Sequence, residues 1–367
     1  MATVVLGDIV TLVKEVLNPK KCGLDKFVGL EHYDAGEPMI TRYGSPENLD
    51  TNVKHFCKGD ILVARRNVYL KRAGYVDFEG VTSGDSIVLR VSDSKYRMIL
   101  PFILNTEDFW DYAEQNSDGT MSKRLSPDDL LEYEFEEPEN VGALADKLWA
   151  AYRVKESYKK LLTATDDMLK AKFSEMFEGD NWQYEALGNV GEFKRGGGFQ
   201  KDDYVEKGIP CIHYGQIHTI FGPYIYTHIK EINPELSSKT KYAVNGDLVI
   251  AITSEDEEGS CKSTAWLGDY PVAVGSHAAI FHHNMDPIYI TFYFKSTTFN
   301  HKKVRFIRGS KVVEIKPDDI AKIEIPVPPI ELQRQFAAIA TQTESTKASL
   351  RESIELIDKV IKSLINQ

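Results

Sequence analysis

The sequence predicts a mixed α+β protein: two tandem globular domains, each followed by one long helix, with the two helices pairing as an antiparallel coiled coil. Three observations predict it. The first is an internal repeat. Offset by 190 residues, "GTMSKRLSPDDLLEYEFEEPENVGALADKLWAA" falls under "GSKVVEIKPDDIAKIEIPVPPIELQRQFAAIAT" without a gap. Gly119 then meets Gly309, Thr120 meets Ser310, Pro127-Asp128-Asp129 meets Pro317-Asp318-Asp319, Pro138 meets Pro328, and Ala150 meets Ala340. The second is that "KGDILVAR" (from Lys58) is echoed by "NGDLVIAI" (from Asn245), and "LGDIV" at Leu6 by "LGNVG" at Leu187, in the same order. The third is a helical apolar period at the end of each copy.

Taken along the chain, residues 1–140 form the first domain of short strands and turns, and 179–329 the second. The length, 367 residues, exceeds the usual single domain. The first helix, 141–178, carries Val141, Leu144, Leu148, Tyr152, Tyr158, Leu162, Leu169 and Met176. The second, 330–367, carries Phe336, Ile339, Leu350, Ile354, Ile357, Ile361 and Leu364, with Leu350, Ile357 and Leu364 seven apart. Helices of roughly 54 Å at 1.5 Å per residue cannot bury such stripes alone, so the two are expected to pair. Before the second helix, Ile323, Ile325 and Val327 alternate as a half-buried strand that Pro328 and Pro329 end. This is expected to be a rigid elbow between domain and helix.

The bulk composition narrows the function classes. No apolar run is long enough for a membrane span, and "MATVVLGDIVTLV" lacks the basic region and cleavage site of a signal peptide. Four scattered cysteines without a CxxC pair fit reduced thiols, so a cytoplasmic protein is expected. A net charge of −11 argues against coating nucleic acid by bulk charge, though not against local basic loops.

These residues resemble the specificity subunit of type I restriction–modification enzymes. The resemblance covers nearly the whole chain and rests on "IPVPPIELQRQFAAI", the two GD motifs, "LGNVGEFKRGGGF…IPCIHYGQI" and "KAKFSEMFEGD" (Lys170 to Asp180). It implies two target recognition domains, each reading one half of a split site on double-stranded DNA. It also implies helices that set the gap and bind two adenine methyltransferase subunits, with translocase–nuclease (restriction) subunits as further partners. The subunit itself is then non-catalytic and needs no cofactor. The first elbow, "FEEPEN", departs from the pattern and keeps only Pro138.

Base readout needs Arg, Lys, Asn or Gln at base edges, with other groups on the phosphates. In the first domain, "ARRNVYLKRAG" places Arg65, Arg66, Asn67, Tyr69, Lys71 and Arg72 in one loop of an acidic domain. The alternative is a hairpin whose arginines pair with nearby acids. In the second, "FKRGGGFQKDDY" offers Lys194, Arg195, Gln200 and Lys201 around three glycines that let backbone approach a phosphate; the alternative is a plain turn. By family position, "HYGQIH" adds Tyr214, Gln216 and His218. The loop "EDEEGSCKST" stands where the arginine-rich loop does but is acidic, leaving Lys262 and Ser263.

Catalytic patterns are not found. "DPIY" at Asp286 lacks the second proline of an adenine-methyltransferase motif and reads as a turn entering an apolar run. Glu314-Ile315-Lys316 mimics half of a nuclease pattern, but the repeat explains it, and the acids after Pro127 and Pro317 read as helix caps or first-turn acids. The histidines show no metal-ligand spacing, so no metal is expected. His282 and His283 should face opposite sides of a strand. The rival from another class is a protein-interaction scaffold with duplicated binding domains.

Overall fold

The computed structural model describes residues 2–119, 122–179 and 181–366; Thr120, matched above to Ser310, and Asp180 lie outside them. The chain divides into two compact units, Met1–Lys159 with Arg351–Gln367, and Lys160–Leu350. Among the described residues no helix is long and apolar enough to cross a membrane.

In the first unit, Thr3–Val5 pairs antiparallel with Glu134–Glu136 and ties the two ends of the domain together. One four-stranded sheet runs in the order Val10–Leu12, Ser86–Val91, Ile61–Ala64, Ala73–Tyr75. A second runs Val16–Leu17, Val53–Phe56, Gly80–Thr82, Phe27–Val28, its last pair parallel. The apolar run after the GD motif is buried on both faces, as continuous rather than alternating hydrophobicity requires. Ile61 and Val63 enter one core, Leu62 and Ala64 the other.

The second unit repeats this plan. Tyr184–Ala186 pairs with Glu324–Pro326. Gly191–Arg195, Ala278–His283, Leu248–Ala251 and Ser263–Trp266 follow in the same order as the first sheet, with Tyr224–Ile225 added at the edge. Leu248 and Ile250 face one core, Val249 and Ala251 another. The parallel pair also recurs, as Ile209–Ile212 beside Val272–Val274. The LG motifs are matching turns: Leu6 and Leu187 are fully buried. A Cβ on Gly7 or Gly188 would press on the Leu131 or Ala321 carbonyl at 3.1 or 3.3 Å.

The GD motif is a turn lock in both copies. Gly59 and Gly246 take φ of 99° and 93°, where glycine is favoured. The following aspartates, Asp60 and Asp247, are buried and accept the N–H of Cys57 or Val244 at 2.8 Å. A cation or imidazole from the neighbouring strand completes each lock. Arg90 donates twice to Asp60 at 2.8 and 2.7 Å, and His282 meets Asp247 at 2.6 Å.

The elbow owes its rigidity to carbonyl partners. Tyr289 and Tyr293 donate their hydroxyls to the Pro326 and Glu324 carbonyls, and buried Gln333 donates to Pro328. Both tyrosines sit on Pro287–Lys295, a buried helix capped by Asp286, which accepts the N–H groups of Ile288 and Tyr289. The apolar run after "DPIY" is thus a helix. The acids after Pro127 and Pro317 stand in the first turns of short helices, as expected.

Helix α1 spans Val141–Phe177 and α2 spans Ile330–Ile365. They pair antiparallel. In the second unit Phe173 and Phe177, near the end of α1, meet Phe336 near the start of α2 with ring centroids at 5.2 and 5.6 Å. In the first unit Val141, Leu148 and Tyr152 share a core with Ile361 and Leu364. Polar residues also occupy the seam. Buried Lys155 reaches Asp358 at 2.6 Å and Glu37 at 2.8 Å; buried Lys347 reaches Asp166 at 2.5 Å and Glu344 at 2.8 Å. Burial opposes the charge on Lys347, but the two carboxylates outweigh it and raise its pKa.

These pairs correct the repeat register. Lys155 matches Lys347, and Asp166 matches Asp358, at an offset of 192 rather than 190. Leu148 is therefore the partner of buried Ala340, whereas Ala150 is exposed. The elbow absorbs two residues, and a helix must then turn its apolar face to the seam whatever the upstream alignment. Ile339, expected in the stripe, is exposed for the same reason; Phe336, Ala337 and Ala340 face inward.

Candidate nucleic-acid interface

In the first domain Ala64 donates to the Arg72 carbonyl at 2.9 Å, closing residues 65–71 as a hairpin loop. Val68–Leu70 is a single tight turn between two left-handed residues, Asn67 (φ 55°) and Lys71 (φ 50°). Several candidate side chains hold this shape. Arg72 donates to the Leu30 and Arg66 carbonyls, each at 3.1 Å, and Lys71 pairs with Glu107. Asn67 accepts from the Ser122 hydroxyl at 3.3 Å. Arg66 is exposed and shares Asp85 with Arg124, at 3.7 and 3.4 Å, so two cations meet one carboxylate. Half-buried Arg65 stands close to Lys54, whose pKa falls through burial and that neighbouring charge. The acid-pairing alternative is thus realised for Lys71 and only in part for the arginines. Tyr69 is 60% exposed.

In the second domain the corresponding loop is three residues longer, since Ala251 donates to the Lys262 carbonyl at 2.8 Å. Cys261, at φ 62°, takes the place of Lys71. Buried Lys303 supports the loop from beneath, donating to the Glu258 and Ser260 carbonyls at 3.0 and 2.6 Å; burial lowers its pKa. Above this base, Glu255, Asp256 and Glu258 form the lip of a cleft of about 840 Å³. Lys201, Tyr214, His218 and Lys262, four of the expected residues, line it.

Other candidates lie elsewhere. Lys194 pairs with Glu192 at 3.0 Å, and Arg195 with Glu314 at 3.0 Å and the Ser276 carbonyl at 3.1 Å. Gln200 is exposed and its backbone N–H goes to Asp203 at 2.7 Å. Two candidates are buried and so cannot reach a ligand in this conformation. Ser263 is inside a strand, and Gln216 accepts the His213 N–H at 2.7 Å as a helix cap. The glycine triplet has a packing cause. A Cβ on Gly196 would lie 2.4 Å from the Gly275 carbonyl and one on Gly198 2.6 Å from that of Lys239. Gly196 and Gly197 already donate their N–H groups to Ala278 and Val274, which leaves neither for a phosphate.

Sequence inspection named Tyr214 and His218 but missed His277, which completes an aromatic group lining the cleft. The Tyr214 ring lies 4.5 Å from His213, 5.1 Å from His277 and 5.9 Å from His218. Burial, with the charges of Lys201 and His277, pushes His213 down to about 4, so it is neutral at pH 7. His213, Tyr214 and His218 share one short motif, but no spacing joins them to His277; the parallel strand pair brings it beside them. His282 and His283 do face opposite ways: one meets Asp247 at the surface, and the other is half-buried.

Residues 179–359 match the family described as Type I restriction modification DNA specificity domain. No curated protein sequence matches the chain. Among solved structures, a chain from work on the complex assembly and conformational transition of the type I R-M system is 16% identical, with a TM-score of 0.59 over 100% of this chain and 96% of that one. The type I restriction-modification S subunit from M. genitalium is 13% identical, with a TM-score of 0.54 over 99% and 94% of the two chains. These likenesses are of fold, and they include the first domain, which the family match does not reach. Residues 179–359 thus carry a type I restriction modification DNA specificity domain.

Proposed function

We propose that the chain is the DNA sequence-specificity subunit of a type I restriction–modification system, reading a split site on double-stranded DNA with one half-site per domain. One observation carries this reading. The family match covers the second domain, and the same strand order, GD lock and hairpin loop recur in the first with a loop of opposite charge. A recognition architecture used twice with different loops suits an asymmetric bipartite target. Arg65, Arg66 and Tyr69 are the proposed contacts of the first domain; Lys201, Tyr214, His218 and Lys262 are those of the second, flanked by Lys194, Arg195 and Gln200. Asn67, Lys71, Arg72, Gln216 and Ser263 shape the loops instead.

The chain supplies recognition while other subunits carry methyl transfer and cleavage. Its partners are two adenine methyltransferase subunits and, in a restricting complex, translocase–nuclease subunits, acting on DNA in the cytoplasm. Exposed Leu161 and Met168, seven apart on α1 within the second unit, form an apolar pair suited to a methyltransferase helix. With a net charge of −11, the isolated chain should bind DNA weakly and with steep salt dependence, the partners contributing much of the phosphate grip. Sequencing of genomic methyladenine with the gene intact and deleted tests the proposal. Loss of a single split motif on deletion is expected. An unchanged methylome beside an active partner methyltransferase would overturn it.

A further inference from the structure

We propose that the first domain holds a divalent transition-metal ion of the zinc class, bound by His55, Cys57 and Glu79 and oriented by Glu15. His55 lies in Val53–Phe56, Cys57 just follows that strand, and Glu79 precedes Gly80–Thr82, the strand paired beside it. One imidazole nitrogen, the cysteine sulfur and a carboxylate oxygen from these residues lie within 4.8 Å of one another. A tetrahedral zinc with ligands at 2.0–2.3 Å would hold them roughly 3.5 Å apart. The contraction falls mainly on Glu79, whose side chain is 55% exposed.

The hydrogen bonds of His55 supply the second argument. Its Nδ1 lies 2.7 Å from Glu15 Oε2 and its Nε2 lies 2.9 Å from Glu79 Oε1. A neutral imidazole has one N–H for these two acceptors. Given to Glu15, it leaves Nε2 to carry either a second proton, as the imidazolium that the two carboxylates favour, or a metal ion that displaces that proton as Glu79 shifts back to ligate it. Carboxylate, imidazole and metal in line is the usual way a ligating histidine is oriented. Cys57 adds a soft donor that a simple ion pair would not require. Arg90 also reaches Cys57, but its charge is met by the buried Asp60 carboxylate.

The fold itself does not demand these residues. The second domain carries Tyr242, Val244 and Pro271 at the equivalent strand positions. An ion at this place would join three chain segments at one end of a sheet, as a structural clip with a water in the fourth position.

Titration of the full-length protein with cobalt(II), without DNA, tests this independently of the recognition role. One equivalent should give the visible bands of a four-coordinate ion and a near-ultraviolet thiolate charge-transfer band. Cys57→Ser should lose the charge-transfer band, and His55→Ala should lose both. Glu15→Gln should weaken binding about 10–100-fold while keeping the spectrum. Zinc(II) should raise the melting temperature of the parent protein and leave that of Cys57→Ser unmoved. Absence of four-coordinate bands at one equivalent, or a charge-transfer band that survives Cys57→Ser, would overturn the proposal.

Discussion

The two domains hold the same hairpin on the same lock and put opposite charge on it. In the first, Arg66 of the loop after the GD strand shares one acid, Asp85, with Arg124 of a distant strand. In the second, the longer loop carries Glu255, Asp256 and Glu258 over buried Lys303, and the cleft they line also holds Lys201 and Lys262. The locks differ in kind as well. Arg90 binds Asp60 through two hydrogen bonds, whereas His282 binds Asp247 through one. The difference teaches that the scaffold constrains where the loop begins and ends and leaves its charge free. That is what a pair of modules reading unlike half-sites requires, because cationic side chains favour guanine edges and carboxylates favour the cytosine amine.

The lock offers the largest test. Asp60→Ala should cost roughly 2–4 kcal/mol, since a buried acceptor of the turn N–H and of a guanidinium is lost together. Asp247→Ala should cost less, by about the value of one charge-assisted hydrogen bond. Denaturant unfolding of both variants decides it; equal losses would mean that the turn, not the strand partner, sets the strength of the lock.

Acidification should separate the domains next. Burial pushes His283 and His213 down to about 4, so both are neutral in the folded protein and protonate near 6.5 once unfolded. The unfolded chain therefore binds more protons between those values. The stability these histidines contribute is complete above about pH 6.5 and is lost as pH falls toward 4, on the order of 1–3 kcal/mol. Val91 and Gly29 stand at the matching strand positions of the first domain. Amide exchange followed by domain from pH 7 to 4 should show the second domain loosening first. Equal loosening would remove these histidines as its cause.

The smallest effect on folding is expected from the loops. Arg66→Ala and Lys262→Ala each replace an exposed side chain and should change stability by about 0.5 kcal/mol or less. Each should instead relax methylation at one half-site only, by about 1–3 kcal/mol of base discrimination. Methylome sequencing of the two variants reads this directly. Relaxation of the same half-site by both would break the assignment of one loop to each half.

Much of the architecture was legible because it rests on local periods. The GD strands read as continuous apolar runs and are buried on both faces. The second helix reads as a heptad seam and the first as an apolar stripe, the two pair, and Pro127 and Pro317 open short helices as their following acids suggested. The candidate interface was legible only in part. Lys201, Tyr214, His218 and Lys262 do converge, but residue type alone could not separate Arg66, which faces solvent, from Arg72, which holds the Leu30 carbonyl. Nor could it show that Gln216 and Ser263 are buried, or that the glycines at 196–198 serve close backbone packing.

Sequence by itself determined the duplication, the two long paired helices and the kinship with DNA specificity domains, because each is written in residues near one another or in an ordered repeat. Tertiary structure alone decided the two-residue slip between the helices, the buried Lys155 and Lys347 in their seam, the arrival of His277 beside Tyr214, and the meeting of His55, Cys57 and Glu79. Each of these depends on a partner from a distant segment. A buried charge or a shared ligand exists only where that partner arrives, and no local pattern records its arrival.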